Sequence, residues 1–506
     1  MTKHLRIFRI SLFNCLCVAG FKQKRINTMF VVFLGITAAL AGLMFGFDIA
    51  IITGAGPFLK RQFNLADLSL GVAFSSLLFG CALGALIMGY LADHLGRREP
   101  LIWVAVLFAF TSLATGLAPK FALFVLARFL GGLAVGGASI LAPMYVAEVA
   151  PPSLRGRMCA SYQMAICTGV LASFLLNYLL QGIVPWAWFN TTFLNLGEWN
   201  WRWMFISGVI PSVIFFFLIF RAPETPRYLY KCGQEQEAMA ILERINGKEE
   251  AEFEMKEIRV SLGKPKASWK DLKNPGLRRA LTVGFVLAIL VHFSGINTIV
   301  DYAPIIFRSA QFKIDAALFA TFGIGIVIFL FTFVSFWTID RFGRKPLYII
   351  GSFGMGAVLF TLAVLAMTRH FKGITVLILI LAYIACFASC IGPVFWTLVP
   401  EIFPNRVRSE AMIVPVMVQW IANAIVVLFF PSAVTFLGQG PTFFFLGVMA
   451  LAQLLFTWHF VPETKGKTLE EIESMWDGHV SNRLTRHPDQ NVKADDESSA
   501  TARQYK

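Results

Sequence analysis

Charge is what this chain has least of. Asp, Glu, Lys and Arg make up 15% of its 506 residues, where a soluble domain carries about 25%. With 57% hydrophobic residues and 50 Phe, that shortage excludes an ordinary soluble protein and points to many membrane crossings. Cysteine is sparse: the eight Cys are scattered, several within apolar runs, and form neither a disulfide framework nor a metal spacing. Cys386 and Cys390, one helical turn apart, read as packing residues. A nucleotide-binding loop, a metal cluster and a catalytic triad are all lacking, which argues against an enzyme and leaves no cofactor or metal to expect. The net charge of +14 does not imply nucleic acid, because Lys and Arg gather in alternate loops, the positive-inside pattern of a protein embedded in a lipid bilayer. Residues 1–28 carry Lys3, Arg6, Arg9, Lys22, Lys24 and Arg25 around an apolar piece too short to span, with no small-residue cleavage site after it. They read as a basic cytoplasmic segment on the membrane surface rather than a signal peptide.

Twelve stretches are apolar and long enough to cross a bilayer as helices of about 20 residues. They fall at 30–54, 68–91, 100–117, 121–147, 156–182, 202–221, 279–307, 315–339, 346–367, 374–399, 410–436 and 440–461. A polar, helix-forming stretch with about a dozen Lys and Arg separates the sixth from the seventh. Loops of the opposite parity hold far fewer: Lys60 and Arg61, Lys120, Arg308 and Lys313, Arg369 and Lys372. The parity places both termini in the cytoplasm. The chain thus divides into a basic segment (1–28), a six-helix bundle (29–221), a cytoplasmic helical linker (222–278), a second six-helix bundle (279–461) and a cytoplasmic tail (462–506). Trp186, Trp188, Trp199, Trp201 and Trp203 suggest an outer interfacial belt. Asn190-Thr191-Thr192 fits a glycosylation acceptor, but one such triplet is expected by chance.

One carboxylate, Asp48, lies inside the first apolar stretch. A charge at mid-bilayer costs roughly 2.5–3.5 kcal/mol on the insertion scale, so such a residue is a functional candidate by default. The alternative is a wet position near a helix end. Its leading partner is Arg128 in the fourth stretch, among apolar and glycine residues; the alternative for Arg128 is snorkelling to the interface.

Internal repetition organises the rest. Asp93-His94-Leu95-Gly96-Arg97-Arg98 follows stretch two, and Asp340-Arg341-Phe342-Gly343-Arg344-Lys345 follows stretch eight. Glu148 precedes Arg155, and Glu401 precedes Arg408, by seven residues each. Pro223-Glu224-Thr225 and Pro462-Glu463-Thr464 follow stretches six and twelve. The three pairs recur in order at an offset of about 240–250 residues. That is the signature of two homologous six-helix halves, with a transport site between them.

These residues resemble the sugar porter family of the major facilitator superfamily, over about residues 30–468. The matching pieces include Pro223-Glu224-Thr225-Pro226-Arg227 and Pro462-Glu463-Thr464-Lys465-Gly466. Within the family the chain is similar to bacterial sugar–proton symporters, because its loops are short and Asp48 is an acid where facilitative glucose uniporters carry Asn. The resemblance implies an all-α, twelve-helix major facilitator fold and a proton-coupling pair, Asp48 with Arg128. It implies a cytoplasmic latch drawn from Asp93, Arg97, Glu148, Arg155, Glu224, Arg227, Asp340, Arg344, Glu401, Arg408 and Glu463; the alternative is that these charges only fix topology and cap helices. It also implies a mid-membrane sugar site with Gln163, Asn297, Trp396, Gln419 and Trp420, beside Phe45. Asn423, one turn beyond Gln419, is a further hydrogen-bonding candidate. Each polar member is alternatively interhelical glue, and the two Trp alternatively lipid- or core-facing packing.

The chain departs from the family pattern in three places. Val291-His292 stands where two Gln are usual, Asp301-Tyr302 where two Tyr are usual, and Ile328 where Asn is usual. Two hydroxyl-binding amides are therefore lost, so glucose or xylose does not follow automatically. His292 and Asp301 are new titratable groups. Nine residues apart, they lie on opposite sides of a straight helix, and a direct pair needs a break that Gly295 permits. Asn297 and Asp301 share a face. Asp301 suits a cationic or hydroxyl-rich solute or a second proton; the favoured expectation is an outer-gate residue in water, because Pro304 marks the outer end of the span. The expectation for function is a monomeric, proton-coupled importer of a monosaccharide in a bacterial inner membrane. The alternatives are a carrier of myo-inositol or another polyol or non-sugar solute, and a non-transporting sugar sensor.

Overall fold

The structure, a computed structural model, describes residues 27–151, 154–181, 196–262, 275–403 and 407–466. The basic segment up to residue 26, Trp186, Trp188, the Asn190 triplet, linker residues 263–274 and the tail beyond 466 lie outside the described residues.

The first half comprises α1 (Thr28–Gln62), α2 (Asp67–Leu95), α3 (Arg98–Leu117), α4 (Phe121–Val149), α5 (Arg155–Leu179), and a sixth span built from α6 (Leu196–Ile206) and α7 (Val209–Arg221). The linker forms α8 (Pro226–Lys231), α9 (Glu235–Asn246) and α10 (Lys248–Leu262). The second half opens with α11 (Pro275–Phe293), α12 (Ile296–Asp301) and α13 (Ala303–Ser309), then α14 (Ile314–Phe342) and α15 (Arg344–Met367). Its tenth span joins α16 (Gly373–Cys386), a π-helical turn at Phe387–Ile391 and α17 (Gly392–Glu401); α18 (Arg408–Leu437) and α19 (Gln439–Phe460) complete it. Among the described residues, twelve spans are long and apolar enough to cross a membrane, in the places the sequence indicates. Large side chains such as Trp103, Trp337 and Phe353 project outward, as helices facing lipid tails require. The first span runs to Gln62 rather than residue 54. Lys60 and Arg61 close its last turn, where cations favour the helix dipole, and Lys60 Nζ donates to Asp67 Oδ1 at 2.8 Å.

The repeated Pro-Glu-Thr segments act as helix caps. Glu224 accepts from the backbone N–H groups of Arg97 and Arg98, both at 3.0 Å. Glu463 accepts from those of Arg344 and Lys345 at 3.1 and 3.0 Å. Each carboxylate thus satisfies orphan donors at the start of a span, α3 in one half and α15 in the other. The preceding glycines, Gly96 at φ +88° and Gly343 at φ +90°, make the left-handed turn, and a Cβ at either would strike the capping carboxylate.

Glycines also set the helix spacing in the first half. A Cβ on Gly80 would strike the backbone of α4, and one on Gly132 or Gly136 would strike the backbone of α2. The spacings Gly80-x-x-x-Gly84 and Gly132-x-x-x-Gly136 therefore allow two membrane helices to touch backbone to backbone, where dispersion replaces the hydrophobic effect as the source of association.

The linker forms its own small core from Leu229, Ala238, Leu242, Ala251 and Met255. It docks on the first half: Tyr145 Oη donates to Pro223 O (2.9 Å), Lys231 Nζ to Asp93 O (2.6 Å), and the Arg244 guanidinium sits 3.9 Å over Phe30. Glu254 lies 3.9 Å from Arg155 and accepts from Asn246 at 2.6 Å. Burial raises the Glu254 pKa above its ordinary value, and Arg155 and Asn246 only partly oppose this.

Two outcomes are expected. Gly132→Val overpacks the α2–α4 contact, at a cost of about 1–3 kcal/mol, and lowers the melting temperature in detergent; Gly156→Val, with nothing within 4 Å, leaves it unchanged. Because the folded pKa of Glu254 is raised, the folded state binds more protons there than the unfolded state, and this residue's contribution to linker docking weakens as pH rises through that value. Hydrogen exchange of α10 should show docking loosening from acidic to neutral pH in the parent protein, and less change in Glu254→Gln.

Candidate functional site

Asp48 on α1 and Arg128 on α4 meet inside the first half. Arg128 Nη1 donates to Asp48 Oδ1 at 2.9 Å, and Nη2 donates to Asp48 O at 3.2 Å. Asp48 is 7% and Arg128 2% exposed, so neither is wet at a helix end nor snorkelling. The guanidinium lies 5.3 Å from the Phe205 ring centre. Gly131 leaves room for Asp48 Oδ2 and Thr111. Oδ2 and Arg128 Nε have no hydrogen-bond partner. The pair is thus bonded yet incompletely satisfied, and a proton has an unoccupied carboxylate oxygen to go to.

Span seven is broken where the sequence permits it. Gly295 adopts φ +89° between α11 and α12, a conformation other residues adopt only under strain. Tyr383 Oη donates to the freed Ser294 carbonyl at 2.8 Å. His292, at the end of α11, is buried beside Asn297, and neither ring nitrogen has a well-formed hydrogen bond. It makes no direct pair with Asp301. Further unsatisfied buried atoms lie on the same half: Thr298 Oγ1, Gln419 Oε1, Trp420 Nε1 and Asn423 Nδ2. Phe45 from the first half meets Trp420 edge to face at 5.9 Å. Trp420 is 3% exposed and so does not face lipid. Trp396 on α17 is 37% exposed and packs on Phe395 at 5.6 Å.

The outer-gate reading of Asp301 is wrong in one respect: the carboxyl is 5% exposed rather than in water. The reason is local. Pro304 does not end the span but lies in the first turn of α13, a position that suits its missing N–H. The chain therefore continues outward, leaving Asp301 beneath it. Tyr302, the next residue, forms an aromatic lid with Phe74 (4.5 Å, stacked) and Phe430 (5.3 Å, stacked), and its hydroxyl donates to Val427 O at 3.0 Å. The sequence reading missed this lid. Its one available signal was Tyr302 just ahead of the span's proline.

The halves meet on the side opposite the linker. Thr435 Oγ1 donates to Asp67 Oδ2 at 2.7 Å, Tyr178 meets Phe319 at 5.4 Å, and α2 approaches α18 closely enough that a Cβ on Gly71 would strike the backbone at Leu428. Near the middle, Cys167 Sγ and Thr332 Oγ1 lie 3.5 Å apart, joining α5 to α14. Gln163, half-buried, lies one turn before Cys167 on α5. Ile328 supplies the carbonyl that Thr332 Oγ1 donates to, at 2.7 Å.

On the linker side, the charged pairs stay within one half among the described residues. Arg97 Nη2 reaches Glu148 at 2.9 Å, and Arg344 holds Glu401 through Nε (3.1 Å) and Nη2 (2.8 Å). Asp340 lies 3.8 Å from Arg344 and is largely exposed. Several latch candidates make other contacts in this structure. Arg155 lies 3.9 Å from linker Glu254, while Arg97 holds Glu148 Oε1. Asp93 is exposed and makes no ion pair among the described residues; only its carbonyl is used, by Lys231. Arg227 is exposed without an ion pair among them, because α8 turns it to water. Glu224 and Glu463 bond backbone N–H groups rather than arginine side chains. The side chain of Arg408 lies outside the described residues.

The chain matches the family described as sugar (and other) transporters over residues 34–476. It is 36% identical over 448 residues to the arabinose–proton symporter of Bacillus subtilis, covering 88% of this chain and 95% of that one. It is 33% identical over 447 residues to the major myo-inositol transporter IolT of the same organism, covering 87% and 92%. Among solved structures, the inward open conformation of the xylose transporter XylE from E. coli superposes with a TM-score of 0.76 at 35% identity, covering 88% of this chain and all of that one. Matching helices, repeated motifs and family thus agree, and the chain belongs to the sugar transporters of the major facilitator superfamily, a multi-pass membrane protein and not an enzyme.

Proposed function

We propose that this protein is a proton-coupled symporter that imports a monosaccharide by alternating access. Its linker side faces the cytoplasm, following the positive-inside bias. The observation that carries the reading is the buried Arg128–Asp48 bond at 2.9 Å. Removing one partner of a buried ion pair leaves an uncompensated charge, at a cost of about 3–5 kcal/mol. Protonating Asp48 releases Arg128 without leaving a bare anion, so proton binding becomes a condition for rearrangement. One charge moving through 100 mV supplies about 2.3 kcal/mol, enough for roughly fifty-fold accumulation of a neutral solute.

The sugar site of this reading uses amides for hydroxyls and aromatic faces for ring C–H surfaces. Gln163, Asn297, Gln419 and Asn423 supply the first; Phe45, Trp396 and Trp420 the second. The unsatisfied buried atoms of Gln419, Trp420 and Asn423 support it, because each gains a partner when a hydroxyl arrives. The contacts joining the halves opposite the linker support reading this as the state open to the cytoplasm. The Arg97–Glu148 and Arg344–Glu401 pairs then belong to a latch disengaged between the halves. A specific observation favours a second substrate class, polyols such as myo-inositol: positions 291 and 328 are aliphatic, and His292 offers two unpartnered ring nitrogens where the family pattern has an amide.

In proteoliposomes under an imposed proton gradient, Asp48→Asn should lose uphill uptake by at least about tenfold while keeping counterflow exchange. Retained uphill uptake would refute the assignment of Asp48. A thermal-shift screen across pentoses, hexoses and inositols decides the substrate class: the sugar reading expects the largest stabilisation from a monosaccharide.

A further inference from the structure

We propose that Asp301 is a second proton site, buried without a partner at the boundary between the halves, so that closing the outer side draws one proton from outside onto its carboxyl. The proposal rests on the carrier reading above, but its test reads conformation rather than transport.

Three observations meet at this residue. Asp301 is 5% exposed and makes no hydrogen bond or ion pair among the described residues. It ends α12, which belongs to the second half yet packs with α13 against α1, the helix that carries Asp48. Tyr302, the next residue, stacks on Phe74 of the first half and Phe430 of the second. Asp48 of α1 is bonded to Arg128. The remaining charged groups on packed elements are engaged elsewhere or face solvent. Lys60 of α1 bonds Asp67. Arg61 of α1, Arg278 and Arg279 of α11 and Arg308 of α13 are exposed. His292 of α11 lies beside Asn297, and α18 carries no charged residue over 411–437.

The charge count then decides the chemistry. Arg128 bonds Asp48, and no bond joins it to Asp301. An ionised Asp301 is therefore a buried charge without a counter-ion, which a low-dielectric site does not tolerate. One proton on Asp301 restores neutrality. When the outer side opens, α12 withdraws with the second half. Asp301 then meets outside water and ionises, while Asp48–Arg128 remains a neutral pair. Closing reverses this and takes up one proton, which bonds to a carboxylate oxygen; nothing else is made or broken. The aromatic lid of Tyr302, Phe74 and Phe430 completes the device, because it seals the same end of the chain that carries the acid.

The test uses the full chain in lipid nanodiscs without sugar, with a donor and an acceptor fluorophore on unnatural amino acids at positions 120 and 368, both exposed on the outer side. In the parent protein the outer-closed fraction should fall as pH rises, the closed-to-open ratio changing about tenfold per pH unit on the alkaline side for one coupled proton. Asp301→Asn should stay closed with a flat profile, and Asp301→Glu should regain the titration. Asp301→Ser, smaller and also uncharged, gives the same comparison if the Asn variant does not fold. A parent-like pH profile in Asp301→Asn or Asp301→Ser overturns the proposal, as does a flat profile in the parent. Failure to move any sugar would sink the carrier reading and leave this readout intact.

Discussion

The bond between Asp48 and Arg128 constrains everything else in this molecule. Two charges buried between α1 and α4 persist only because they compensate each other, and their mutual attraction is strong where water is excluded. The surroundings are shaped to hold them: Phe205 lies against the guanidinium, Gly131 makes room for the free carboxylate oxygen, and glycines at 80, 132 and 136 bring α2 and α4 together. Such a pair cannot simply come apart. It needs a substitute counter-charge or a proton, and a membrane protein between two aqueous phases can receive either.

The rest of the structure makes that local event consequential. Each half is braced by the same device at the same place. A Pro-Glu-Thr carboxylate caps the third helix of its half, and an Arg of the preceding loop is tied to a Glu at the end of the fourth crossing of the half or its counterpart, Arg97 with Glu148 and Arg344 with Glu401. These bonds stay inside a half, which therefore moves as a body. The contacts between halves differ in kind: one hydroxyl–carboxylate bond at Thr435, stacked rings at Tyr302 and Phe74, and close backbone packing at Gly71. Rings and small residues separate at lower cost than buried ion pairs, so the boundary between the halves is where the molecule can give.

Much of this was legible in the residues. Twelve crossings follow from run length, the duplicated halves from the spacing of Asp-x-x-Gly-Arg and Pro-Glu-Thr, and the importance of Asp48 from the cost of one acid in an apolar run. What was not legible depends on packing between distant segments. Arg155 sits seven residues from Glu148, but tertiary docking of the linker gives it Glu254, and no local spacing carries that information. Glu224 and Glu463 read as latch charges or as helix caps, and only the fold shows that at these helix starts each carboxylate takes backbone N–H groups. Pro304 looked like the end of a span. A proline also suits a helix's first turn, and span seven uses it so, restarting after Gly295 and Tyr302 and leaving Asp301 covered.

The central claim is that the carboxyl of Asp48 gains and loses a proton within its bond to Arg128. Infrared difference spectroscopy on purified protein stepped between neutral and acid pH tests this most directly, through the carbonyl stretch of a protonated carboxylic acid. A protonated-carboxyl band present in the parent protein and absent from Asp48→Asn is the predicted result. An unchanged band pattern in Asp48→Asn would contradict the account.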